Sequence, residues 1–275
     1  MSDEKWQGLS TEVHDIWNQN AAFWDDYMGE GNQFQRLLIS PAQERLLDLK
    51  GGEYILDIAC GNGNFARRLT DLGARVVACD FSEVFIERAR AHPSNAANPI
   101  DYRVVDATQR DQLLALGSAC FDAVTCNMAL MDMPNIEPLL ACLPLLLKPH
   151  GRFIFSIPHP CFNSVKTTMS IEEDDREGEL VTRYAVKVSG YMTPFARKGL
   201  GIIGQPAPHY FFHRPISALL NACFSAGFVL DRIEEPCFDG DAQPSRPFSW
   251  VNFKEIPPVM VARLRLAGFC SIINA

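Results

Sequence analysis

The stretch Tyr54-Ile55-Leu56-Asp57-Ile58-Ala59-Cys60-Gly61-Asn62-Gly63-Asn64-Phe65 decides the fold. It opens on a β-prone, apolar run with one acid inside it. A glycine turn follows at once, and residues 65–69 begin a helical pattern. A strand, a tight turn and a helix start in succession present backbone N–H groups to a ligand at a helix N-terminus. Gly61 and Gly63 lack Cβ, so the chain can turn sharply and a ligand can lie against bare backbone. Asp57 is costly to bury without a partner. A place at the strand's carboxyl end, facing a cationic ligand group, accounts for it.

Outward from this turn, strand and helix alternate, which predicts an α/β fold with a parallel sheet. Residues 74–79 read as a second strand ending in Asp80-Phe81-Ser82, with Ser82 as N-cap of a helix over 83–90. Residues 100–105 give a third strand, ending in Asp106-Ala107-Thr108. A fourth, over 121–126, runs into Asn127-Met128-Ala129-Leu130-Met131-Asp132-Met133. A helix over 136–147 stops at a turn, Lys148-Pro149-His150-Gly151, ahead of a fifth strand over 152–157. Asp80 at a strand tip suits a ribose, because a carboxylate accepts from two hydroxyls.

Residues 1–50 are helical in pattern. Trp17, Asn20, Ala21, Trp24 and Tyr27-Met28 recur at three- and four-residue steps, and a second helix over 43–49 stops at Gly51-Gly52. This aromatic stripe can pack on the domain, close over a ligand as a lid, or do both. Beyond strand five, prolines flank His159 at the sheet's carboxyl edge, where it can act as base, as anchor or as a turn residue. Residues 163–208 leave the alternation: a charge run over 172–177 reads as solvated loop, 180–188 as a strand, and 199–208 as a Gly/Pro-rich segment. We expect this insert to be a substrate-side lid. In His209-Tyr210-Phe211-Phe212-His213-Arg214-Pro215-Ile216-Ser217, His209 and Tyr210 are expected to face the pocket, while His213 and Arg214 fix the turn. A helix over 218–226, a sixth strand from 229 and a loop with Pro244, Arg246 and Pro247 follow. A seventh strand ending near Arg263 is expected at an antiparallel edge.

Asp57, Ala59, Gly61 and Gly63 fill the pattern (D/E)-x-(A/G)-x-G-x-G, which resembles motif I of the class I S-adenosylmethionine (SAM)-dependent methyltransferases. The Asp106 position, the Phe121-Asp122-x-Val124 strand, Lys148-Pro149-x-Gly151, His213-Arg214-Pro215-Ile216-Ser217 and Ala226-Gly227-Phe228 resemble later landmarks of that family, of the small-molecule type. The resemblance implies a Rossmann-like, doubly wound sheet of seven mostly parallel strands with an antiparallel last strand. An N-terminal helical cap (1–50) would precede a methyltransferase domain (51–275) carrying the 163–208 lid insert. It implies SAM as cofactor and S-adenosylhomocysteine (SAH) as product. Asp57 and the glycine turn would then take the methionine end, Asp80 the ribose and Asp106 the adenine. Ala59, Cys60, Asn64, Phe65, Phe81, Ser82, Ala107, Thr108, Asn127, Met128 and Ala129 would complete that surface, with Cys60 a backbone contact rather than a nucleophile. Trp24, Tyr27, Met131 and Tyr210 would stand on the acceptor side, although the methionines can equally be packing. Where the acceptor carries a proton, His159, His209 and Asp132 are the candidate bases, in that order.

Two other readings stand beside this one. Gly61-x-Gly63-x-x-Ala66 fits the dinucleotide fingerprint, so an NAD(P)-linked oxidoreductase is the second. Asp106 and the Lys148 turn speak against it, and a pyrophosphate disfavours a turn beside a carboxylate. A non-catalytic SAM-binding module is the third. The bulk numbers narrow the field further. A chain of 275 residues, 47% hydrophobic and 21% charged, suits one sizeable globular domain. A net charge of −8 argues against nucleic-acid or anionic-membrane partners, and no N/D-P-P-Y/F run follows the fourth strand. Asp3, Glu4 and Lys5 open a stretch without signal-peptide character, and the apolar run over 139–147 is too short to span a bilayer. Nine cysteines with no C-x-x-C pair suggest reduced thiols in a cytoplasm and no metal site. The expected partner is a small-molecule acceptor.

Overall fold

The computed structural model describes residues 6, 8–93, 98–239 and 246–269; Asp3, Glu4, Lys5 and Pro244 lie outside these. Helix α1 (Ser10–Met28), a π-helical turn over Phe34–Ile39 and α2 (Ser40–Leu47) come first. Strands β1 (Tyr54–Ile58), β2 (Arg75–Asp80), β3 (Asp101–Val104), β4 (Phe121–Asn127) and β5 (Leu147–Pro158) then alternate with α3 (Asn64–Asp71), α4 (Glu83–Ala91), α5 (Arg110–Leu114) and α6 (Glu137–Leu146). Two hairpins follow, β6 (Thr167–Arg176) with β7 (Glu179–Val188), and β8 (Phe195–Gly199) with β9 (His209–His213). Helix α7 (Ile216–Ser225) leads to β10 (Phe228–Glu234) and β11 (Val259–Leu266).

Seven strands make one sheet in the order β3-β2-β1-β4-β5-β11-β10. The first five are mutually parallel, and β11 runs antiparallel to both of its neighbours. The last strand is therefore antiparallel as expected, but it is interior and β10 forms the edge. Burial explains the placement. Val259, Met260, Val261, Ala262 and Leu264 are fully buried, as a strand covered on both faces requires, whereas β10 exposes Asp231, Arg232 and Ile233.

Successive β1 residues feed opposite faces, Leu56 and Ile58 into one core and Ile55 into the other. Leu139, Leu143 and Leu219 cover the first face, and Leu46, Phe65, Leu69 and Ile86 the second. The site thus sits at the sheet's carboxyl edge, on a scaffold fixed from both sides.

Two local expectations are corrected. The charge run over 172–177 is largely strand, because Glu172 faces Arg183 and Glu173 faces Thr182 across β6–β7. Glu177 and Gly178 both have positive φ (57° and 88°), as a two-residue hairpin turn requires. The Lys148–Gly151 turn is an irregularity within β5, with His150 at φ 68° and Lys148 Nζ 2.8 Å from both Asp122 oxygens. Among the described residues no helix is long and apolar enough to cross a membrane.

Candidate active site

Asp57, Asp80 and Asp106 stand at the carboxyl ends of β1, β2 and β3 and line one cleft of about 770 Å³. Asp57 Oδ1 accepts the Thr125 hydroxyl from neighbouring β4 at 2.7 Å. Its Oδ2 is buried and has no hydrogen-bond partner among the described residues. Burial pushes the Asp57 carboxyl up to about 7, opposed by the Thr125 hydroxyl and aided by the charge of Asp80. Asp80 accepts from the backbone N–H of Gly61 and of Ser82, both at 2.9 Å, and so braces the glycine turn against the next strand. Burial outweighs those bonds and raises it to about 6. Asp106 Oδ1 accepts from the Thr108 N–H (2.8 Å) and hydroxyl (2.7 Å).

The two glycines of the turn do different jobs. Gly61 (φ 54°) lines the cleft, and a Cβ there would meet nothing nearer than Phe85 at 4.0 Å. Gly63 (φ 74°) does not line it; a Cβ would strike the Tyr102 hydroxyl at 2.3 Å. The expected ligand contact at Gly63 is thus corrected to a packing need. Ala59 (φ 54°) and Met128 (φ 51°) hold left-handed backbone where β1 and β4 enter the cleft, a strain that clusters at functional sites. Met128 N–H is held by the Ser156 backbone oxygen (3.0 Å) and hydroxyl (3.1 Å), while that hydroxyl donates to Asn127 Oδ1 at 2.7 Å. Cys60, Asn64, Phe65, Phe81, Ala107, Thr108 and Ala129 also line the cleft, and burial pushes the Cys60 thiol up, away from nucleophile chemistry. Ser82 does not line it. Its Oγ accepts the Phe85 N–H at 3.1 Å, an N-cap of α4.

Helix α1 lies over this edge, with Trp17, Trp24 and Tyr27 on the cleft. Asp25, buried on the same helix, accepts from Asn62 (3.0 Å) and Arg88 (2.9 Å) and sits 2.7 Å from His92 Nε2. Burial pushes Asp25 up, but His92, Arg88 and Asn62 outweigh it and hold the carboxyl below its usual range. Asn20 exchanges hydrogen bonds with Ala207 at 2.8 and 2.9 Å, tying the helix to the insert. Packing and cleft lining therefore coincide on one stripe. Of the insert, residues 163–165 and 199–202 line the cleft; β6 and β7 do not.

The histidines divide. His159 is not a cleft residue: Nε2 lies 2.7 Å from Glu235, Nδ1 accepts the Cys161 N–H at 3.2 Å, and the ring stacks on Phe162. With both ring nitrogens engaged, the first choice of base is corrected to a turn residue. Tyr210 is corrected too. Alternation along β9 sends His209 and Phe211 to the cleft and Tyr210 outward, where its hydroxyl donates to Glu12 at 2.8 Å. His209 is 2% exposed, pushed by burial down to about 4, with Nε2 3.9 Å from Asp132 Oδ1. Burial drives Asp132 up. Met131 and Asp132 both line the cleft. Arg214 does more than fix a turn: it donates to the backbone oxygens of Leu130 (3.1 Å) and Met133 (2.8 Å), clamping the loop that bears Asp132.

Sequence reasoning passed over Gln205, whose amide holds His209 (3.0 Å from Nδ1); a lone Gln among glycines and prolines gives no local signal. Phe34, Arg246 and Trp250 also reach the cleft from distant segments.

Residues 56–155 match the family model described as a methyltransferase domain. A crystal structure of a SAM-dependent methyltransferase from Mesorhizobium loti is 28% identical, covers 82% of this chain and 96% of its own, and superposes with a TM-score of 0.64. Residues 56–155 form a SAM-dependent methyltransferase domain. A ubiquinone biosynthesis O-methyltransferase of Xanthomonas oryzae pv. oryzae is 34% identical over 110 residues, 40% of this chain and 44% of the relative. The match therefore spans less than half of that relative's length. An uncharacterized protein of Haemophilus influenzae is 24% identical over 230 residues, 83% of this chain and 87% of its own. The cleft fits SAM on its own chemistry: Asp57 Oδ2 is an unpartnered, buried acceptor suited to a cationic group, and Arg67, the cation at the glycine turn, donates to Asn62 O (2.7 Å) and does not line the cleft. Among the described residues no group of three or more His, Cys, Asp and Glu is placed to hold a metal.

Proposed function

We propose that this methyltransferase moves the methyl group of SAM to a small, largely apolar acceptor held in the same cleft. The observation that carries the reading is the convergence of Asp57, Asp80 and Asp106 on one cavity, with one carboxylate oxygen of Asp57 left for a cation. When bound, SAM supplies an electrophilic methyl on a sulfonium. Asp57 would hold the ammonium end, Asp80 the ribose hydroxyls and Asp106 the adenine amine. Trp17, Trp24 and Phe211 would exclude water and seat the acceptor, and alignment of this kind supplies much of the acceleration in such displacements. The cap and the 199–202 strap would close the acceptor side.

An acceptor that is a small molecule rather than nucleic acid is supported by the net charge of −8 and by the aromatic lining. Titration calorimetry with SAM, SAH and NADH tests the reading. We expect SAM and SAH to bind with micromolar affinity and NADH to give no heat; the reverse order would make the protein a nicotinamide enzyme. A protein that binds SAM yet methylates nothing in a broad acceptor screen would be the non-catalytic module instead.

A further inference from the structure

We propose that Asp132 takes the proton in methyl transfer, and that the acceptor is a hydroxyl carried on a flat, apolar molecule; this rests on the methyl-transfer reading above. Gln205 sets the geometry. Its Oε1 accepts from the backbone N–H of Gly201 (2.9 Å) and Ile202 (3.2 Å), so its Nε2 must face Ala207 O (2.5 Å) and His209 Nδ1 (3.0 Å). Nδ1 is then an acceptor, and the neutral ring keeps its proton on Nε2. That nitrogen is the one 3.9 Å from Asp132 Oδ1. His209 therefore offers a donor toward Asp132 and has no free lone pair for a substrate proton. It is a positioning residue, and the group with unused acceptor capacity is Asp132.

Two orphan atoms flank this imidazole. Asp132 Oδ1 and Trp24 Nε1 are both buried, both without a hydrogen-bond partner among the described residues, and both on cleft-lining side chains. An orphan acceptor and an orphan donor on two side chains that both neighbour His209 match a group that gives one hydrogen bond and receives another. A hydroxyl does both and keeps a second lone pair for the methyl, whereas a neutral amine has only the one lone pair that must attack. The surroundings set the scaffold. The His209 ring lies 4.7 Å from Trp17, 6.0 Å from Trp24 and 4.4 Å from Phe211, an apolar wall for a planar molecule. Gly201 allows the strap to lie here, since a Cβ would sit 2.9 Å from His209 and 3.0 Å from Trp24.

The step balances. The hydroxyl oxygen forms a bond to the methyl carbon, the carbon–sulfur bond breaks with its electron pair going to sulfur, and the hydroxyl proton passes to the Asp132 carboxylate. The titratable groups facing Asp132 are His209 from β9 and Cys126 from β4. Burial pushes the Asp132 carboxyl up, toward holding its proton, and a sulfonium in the same low-dielectric cleft favours its ionised form. Donor binding should thus expel the Asp132 proton. SAH lacks that charge and the methyl that goes with it, but shares every other group with SAM.

Calorimetric titration of SAM and of SAH in phosphate and in Tris, at one pH, reads the difference. We expect SAM to release more protons than SAH, and Asp132→Asn to abolish the excess while still binding both. No excess in the native protein, or an excess that survives Asp132→Asn, overturns the assignment of the base. Failure to bind SAM at all removes the underlying reading and this one with it. Titration of SAH-loaded protein with phenol, catechol and 2-naphthol, against aniline and benzylamine, tests the acceptor class. We expect the hydroxyl series to bind more tightly and to lose at least tenfold in Trp24→Phe, which keeps the ring and deletes the donor. Preference for the amines, or binding by neither series, overturns it.

Discussion

At Asp57 and Asp80, burial raises two carboxyls to about 7 and about 6, whereas the proposed function needs them ionised to bind a cationic, hydroxyl-rich ligand. Both folded values exceed the unfolded one, so the folded state holds protons that the unfolded state has lost. The stabilisation is complete below about pH 4 and disappears as pH rises through 6 and 7. We expect Asp57→Asn to raise the melting temperature of the ligand-free protein by several degrees at pH 8, to change it little at pH 4, and to cost SAM affinity; scanning calorimetry at both pH values checks this. Asp80→Ala strips acceptors from two backbone N–H groups as well as from the ribose proposed to lie there, and should weaken SAM binding about 10- to 100-fold. Near-native affinity would displace the site as drawn. Gly63→Ala combines positive φ with a collision against Tyr102, and should cost about 2 kcal/mol or more in urea unfolding, part of it recovered on adding Tyr102→Phe. Asp57, Asp80 and Gly61 were legible because strand, turn and helix start are written in consecutive residues. His159 and His209 were not separable that way. Both sit at the same edge, and only contacts set by the fold, Glu235 and the Cys161 N–H on His159 and Gln205 on His209, show what each ring can do.

Among the elements, the parallel alternation from β1 to β5 could be read from composition, because buried strands and amphipathic helices differ in period. The β6–β7 hairpin was hidden by its charge. Its strands are exposed, so cross-strand pairing rather than apolar alternation defines them, and the Glu177-Gly178 turn was the signal available. Arg214 shows how one side chain joins elements: it binds backbone oxygens of the loop after β4 from the end of β9. Arg214→Met removes those donors and leaves buried carbonyls unsatisfied. We expect a loss of about 2–4 kcal/mol in stability and lower kcat with little change in SAM affinity, read by urea unfolding and steady-state kinetics.

For the whole molecule, the cap and the glycine turn share one buried ion cluster around Asp25, so ligand occupancy and cap docking should be coupled. A SAM concentration one hundred times its dissociation constant adds about 2.7 kcal/mol, worth roughly 5–10 °C in melting temperature. We expect hydrogen exchange to slow in residues 10–28 as well as in residues 59–65; protection confined to the turn would show that the cap moves independently. The position of β11 has a further consequence for how the chain is made. Residues 259–266 fill the gap between β5 and β10, so until they leave the ribosome the growing sheet carries an open, apolar flank along β5. Translation halted short of that stretch would yield sticky, chaperone-bound fragments and no partly working enzyme.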